Sequence, residues 1–105
     1  MIAQNIYLLE TYITDKVYLE YLYALSSSSV IENEIAKTAA KLNEIEKSIN
    51  QLKSPYKDIL YMKYVQNYDY FKIARTLNYS TQRIFQLRKD AIELFSEAYS
   101  NVASK

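Results

Sequence analysis

The chain has 105 residues, half of them hydrophobic, with one Pro and no Gly, Cys or His, and its formal charge is +1. This length fits one domain, or one small domain with an extension, and the apolar content supports a core rather than wholesale disorder. The missing residue types exclude disulfides, thiol nucleophiles, imidazole bases, the usual zinc ligands and glycine-rich phosphate loops.

With one Pro and no Gly, long helices are favoured over a turn-rich β fold, so an all-α chain is expected. Any turn that needs a positive φ must use Asn or Asp. No stretch runs long enough without charge to span a bilayer. The opening "MIAQNIYLLE" lacks a basic leader and meets Glu10 early, so a cytoplasmic protein without membrane contact is expected. The twelve Tyr are scattered along the chain, which suits core-edge positions with ring inside and hydroxyl in water.

In chain order, residues 2–25 read as one helix. Ile2, Ile6, Leu9, Ile13, Val17, Tyr21 and Leu25 form a stripe in steps of three and four. Leu8, Tyr12, Leu19 and Leu22 widen it, so contact with more than one neighbour is expected. "SSSS", Ser26 to Ser29, breaks the pattern. Ser29 is placed to cap the next helix, with Glu32 three residues on to complete a capping box. Residues 30–52 carry a heptad stripe of Ile31, Ile35, Thr38, Leu42, Ile45 and Ile49. This period fits an antiparallel hairpin or pairing with a second chain equally well.

"SPYKDILYMKY" begins a third helix. Ser54 is placed at its cap and Pro55 at its first helical position, with Ile59, Leu60, Met62 and Tyr64 inward. Asn67 can then turn left-handed, and Asp69 caps a short helix to Leu77 with Phe71, Ile73, Ala74 and Leu77 inward. Asn78 can turn left-handed again. Ser80 caps a last helix from Thr81 to about Tyr99, with Ile84, Leu87, Ala91 and Leu94 inward. A short helix, a tight turn and a longer helix make the helix-turn-helix plan.

Charge follows this division. Residues 1–53 hold five Lys against seven acidic residues, a balance of −2, and residues 54–105 hold eight basic against five acidic, a balance of +3. Five basic residues lie between Phe71 and Lys89, with acids only at the flanking Asp69 and Asp90. Such asymmetry points to one end facing a polyanion and another with a different task.

The segment from Ser54 to Phe95 resembles region 4 of bacterial primary sigma factors, and is similar to small phage regulators of the ArpU and RinA type. The Pro-led helix, the Ile73–Ala74 pair, the Leu77-to-Ser80 turn and "RIFQLRKDAI" carry this likeness. It departs from the pattern at Asn78, where Gly is usual, and at Phe85, where a polar or basic residue is usual. What the resemblance implies is a DNA-binding transcriptional regulator of phage or mobile-element origin, with double-stranded DNA and RNA polymerase as partners.

In such a helix the leading turns enter the major groove. Thr81, Gln82, Arg83, Phe85 and Gln86 are then the candidate base contacts. Gln suits adenine, Arg83 suits guanine or phosphate, and Phe85 suits either a thymine methyl or a protein partner. Lys72, Arg75, Ser80, Arg88 and Lys89 are candidate phosphate contacts. Residues 1–53 are expected to form a helical hairpin that makes protein contacts and a homodimer, and residues 54–105 the DNA-binding domain.

Asp90, Glu93 and Glu97 share one helix face, but Lys89 precedes Glu93 by four residues and no His accompanies them. They read as a solvated, ion-paired face, with no metal, cofactor or catalytic role. The alternative from another class is a protein-interaction module, a polymerase or sigma mimic or a DNA-packaging adaptor, that reads no bases.

Overall fold

A computed structural model describes residues 2–25 and 28–103, with side chains from residue 6 onward. Ile2, at the head of the expected stripe, and Ser26 and Ser27 of the serine run lie outside the described side chains. The described residues form an all-α structure of six helices: α1 Ile2–Glu10, α2 Tyr12–Ala24, α3 Ser29–Asn50, α4 Tyr56–Leu60, α5 Tyr70–Leu77 and α6 Thr81–Ala103. A π-helical turn, Tyr61–Val65, continues α4. No described helix is long and apolar enough to cross a membrane.

Where one helix was expected over residues 2–25, there are two. The Thr11 hydroxyl donates to the Tyr7 carbonyl at 2.9 Å, the kind of back-bond that bends helices. The next cap also differs. Ser28, not Ser29, accepts the Ile31 N–H, at 3.3 Å. Glu32 therefore sits one position beyond the site a capping box requires. At α4, Ser54 does not cap and Pro55 precedes the first helical residue, with the Ser54–Pro55 peptide cis. The Lys57 N–H, which a Ser54 cap would bind, goes to the Lys53 carbonyl at 3.0 Å.

Both Asn turns form as the missing Gly demands. Asn67 has φ 60° and Asn78 φ 63°, the two positive values among the described residues. The Tyr79 N–H returns to the Ala74 carbonyl at 2.9 Å, closing the end of α5 in the manner of a Schellman motif. The Tyr68 N–H returns to the Met62 carbonyl at 2.8 Å, one residue farther because the π turn is wider.

Two packed clusters make the core. One joins Leu9, Tyr12, Leu42, Ile45, Ile49, Leu52, Leu60, Tyr64, Ala91, Ile92 and Phe95. It draws on both sides of the 53/54 boundary, so the front hairpin and the back half share one interior. The other joins Ile59 of α4, Ile73 and Ala74 of α5, and Ile84 and Leu87 of α6. Helix α6 threads both, with Ile84 and Leu87 in the second cluster and Ala91, Ile92 and Phe95 in the first, and it packs on α4, α3, α1 and α5. At 23 residues and 1.5 Å per residue, it is about 34 Å long.

Packing corrects several expected inward positions. Phe71 and Leu94 are exposed, while Ile92 and Phe95 are buried in place of Leu94. In α2, the buried residues are Tyr12 and Leu22, and Val17, Tyr21 and Leu25 face outward. The heptad seam of α3 is covered within the chain: Thr38, Leu42, Ile45 and Ile49 are buried, and Ile31 and Ile35 half-buried. It packs on α2 and α6, so this seam is not available to a second copy. The Tyr12 hydroxyl donates to Glu46 across the hairpin, and Lys41 pairs with Asp15 at 2.9 Å.

Candidate functional site

The basic run spans α5 and the first half of α6. Ser80 accepts the Arg83 N–H at 3.1 Å, satisfying one of the donors that a helix N-terminus leaves open. Ile84, Leu87 and Ala91 are buried and anchor one face. Gln82, Arg83, Gln86 and Lys89 are exposed on the other, with Thr81 half-buried beside them. Arg83 Nη1 donates to Gln86 Oε1 at 3.2 Å. This i, i+3 pair orders two long side chains on the surface and leaves the Gln86 amide hydrogens free to donate.

Helix α5 supports this face and adds charge beside it. The Asp69 carboxylate accepts the Lys72 N–H at 2.8 Å, starting α5 so that Ile73 and Ala74 meet α6. Lys72 and Arg75 are exposed. The Lys72 amine lies over the Tyr68 ring, 4.0 Å from its centroid, which restrains it without neutralising its charge.

Phe85 and Arg88 are placed differently from their neighbours. The Phe85 ring lies 4.7 Å from that of Tyr70, tilted by 56°, and is half exposed. One face therefore braces α6 on α5, and the other is open. Arg88 turns away from the outer face. Its Nε and Nη2 donate to the Tyr64 hydroxyl at 2.9 and 2.6 Å, and its guanidinium sits 5.8 and 5.9 Å from the Tyr64 and Tyr70 rings. Burial raises the Tyr64 hydroxyl pKa, and the Arg88 hydrogen bond and charge pull it partly back.

Behind Arg88 lies a polar cleft of about 360 Å³ between α1 and the π turn, lined by Glu10, Lys63, Tyr64, Asn67, Tyr70 and Arg88 among others. The Lys63 amine stands 4.6 Å from the Tyr70 ring centroid. An apolar groove of about 430 Å³ runs from Phe85 past Ile92 to Ile6 of α1, with Lys89 and Glu93 at its rim. Among the described residues no group of three His, Cys, Asp or Glu is spaced to hold a metal ion.

Tyr64 and Tyr70 escaped the sequence reading as parts of this site. Arg88 lies 24 residues from Tyr64, and a tyrosine in an amphipathic helix carries no local mark that distinguishes a brace from a core-edge ring. The close succession of Lys63, Tyr64, Tyr68 and Tyr70 was the available signal.

Comparisons of the chain with curated proteins and with solved structures found no match. A family profile does match, over residues 10–96, from within α1 to within α6. That span is most of the chain, and the chain belongs to the family described as "Protein of unknown function (DUF1492)".

Proposed function

We propose that the chain is a sequence-specific, double-stranded DNA-binding transcriptional regulator that reads bases with the leading turns of α6. The observation that carries this reading is the capped, exposed start of α6, where Gln82, Arg83, Gln86 and Lys89 project together beside Lys72 and Arg75. In the helix-turn-helix mode, α6 enters the major groove and α5 crosses the backbone. Thr81, Gln82, Arg83 and Gln86 contact base edges, and Phe85 presents its open face to a thymine methyl. Lys72, Arg75, Ser80 and Lys89 contact phosphate. Arg88 serves chiefly to hold α6 against the π turn. The likeness to sigma region 4 adds RNA polymerase as a partner and a phage or mobile-element setting.

Fluorescence anisotropy on a site selected from random duplexes tests this reading. A groove binder that neutralises phosphate with Lys72, Arg75 and Lys89 shows a log–log salt slope of roughly −3, and the selected site outcompetes random duplex. Equal affinity for all duplexes with a shallow slope rejects base reading.

A second reading, a protein-interaction module without base readout, draws on the groove beside Phe85 and on the modest formal charge of +1. It predicts that Phe85→Ala abolishes partner binding while duplex affinity is weak and unselective.

A further inference from the structure

Helix α2 is apolar on two faces, and the chain covers one of them. Tyr12 and Leu22 are buried on the inner side. On the outer side Val17, Tyr21 and Leu25 follow in steps of four, 60%, 60% and 42% exposed, with Tyr18 alongside at 42%. Thr14 and Ala24 complete the outer strip, so no charge interrupts it over three turns. Tyr enrichment and charge depletion are the composition of an interface centre. At the start of α3, Val30 is 75% exposed and adds apolar surface.

We propose that this outer strip of α2 is the interface of a symmetric dimer of the chain. Val17, Tyr18, Tyr21 and Leu25 of the strip and Val30 of α3 each expose on the order of 100 Å², so together they offer roughly 500 Å² per copy and about 1,000 Å² per pair. That is the size at which specific interfaces begin, and it lies toward the upper end of the apolar patches that monomers leave uncovered. The strip is also self-complementary. It is symmetric about Tyr21, so two antiparallel α2 helices crossing there set Val17 of each copy against Leu25 of the other. The same crossing sets Tyr18 against Ala24, large against small. A charge-free row offers a partner of opposite sign nothing to recognise, whereas a second copy matches it in shape and polarity. This surface is distinct from the α3 seam, which is consumed inside the chain. It rests on the exposure and composition of α2 alone, independently of the DNA reading.

Sedimentation equilibrium of the full chain without DNA, from micromolar to high-micromolar concentration, tests the proposal. Wild type should have twice the 12.4 kDa of one chain. Tyr21→Lys should halve that mass while keeping the helical circular dichroism spectrum. Tyr7→Lys, 63% exposed on α1 and off the strip, should leave it doubled. Wild type at the mass of one chain throughout, or a dimer that survives Tyr21→Lys, overturns the proposal. None of these outcomes bears on duplex binding, which the anisotropy titration reads separately.

Discussion

Tyr64→Phe removes a single oxygen, the one that accepts two hydrogen bonds from Arg88 at 2.9 and 2.6 Å. The ring stays and its packing in the core is kept, so the perturbation is confined to the bond between the π turn and α6. A hydrogen bond to a charged group contributes about 1.5–3 kcal/mol. Arg88 is only half-buried, so in the variant its guanidinium recovers water, and the expected loss falls at the low end, about 1–2 kcal/mol. Urea unfolding of Tyr64→Phe, Arg88→Met and the double variant isolates the pair. The Met side chain keeps the aliphatic stem, and the coupling energy should be about 1 kcal/mol or more. A second readout distinguishes a brace from a direct DNA ligand. If Arg88 acts through Tyr64, neither variant changes the salt slope of duplex binding. If Arg88 instead neutralises a phosphate, Arg88→Met reduces the slope by about one. A coupling energy near zero refutes the reasoning, because the two side chains would then contribute independently.

Arg83→Ala and Gln86→Ala should each weaken binding to a selected duplex by about 1–3 kcal/mol and relax its sequence preference, as competition anisotropy would read. Lys72→Ala and Lys89→Ala should weaken selected and random duplexes almost equally, since phosphate carries little sequence information; a changed preference at constant salt slope would contradict that role. Asn78, held at φ 63° and ψ 41°, should tolerate Gly, while Asn78→Ala should cost about 1 kcal/mol in thermal or urea unfolding. Burial raises the Tyr12 pKa, with the Glu46 hydrogen bond and charge adding to it, and burial raises that of Tyr64. A raised folded value means the folded state holds the proton more tightly. Its stabilising effect is therefore complete below the unfolded value near pH 10 and is lost as pH rises through the folded value. Alkaline unfolding above about pH 10 should be shallower in Tyr12→Phe than in wild type, measured at equal steps of pH.

Local chemistry is what the sequence by itself determined. Asp69 and Ser80 precede runs whose apolar spacing is helical, and each caps the helix it was expected to cap, because a cap needs only a side-chain oxygen and an amide three residues on. Asn67 and Asn78 take the positive φ, because in a chain without Gly few other residues tolerate it. The all-α class follows from the same composition, and the α3 stripe was legible as an apolar seam. What covers that seam was not legible, because periodicity describes a face and not its partner. Folding places α2 on one side and α6 on the other, and this leaves Val17, Tyr21 and Leu25 outside although their spacing continues that of Leu9. The break between α1 and α2 at Thr11, where ψ is 0°, likewise had no mark in the apolar spacing. The meeting of Arg88 with Tyr64 across 24 residues joins distant parts of the chain and is set only when α6 docks on the π turn. Hydrogen bonds within one helical turn are encoded by neighbours in sequence, whereas a surface, a brace or an interface is decided by which distant faces come to pack together.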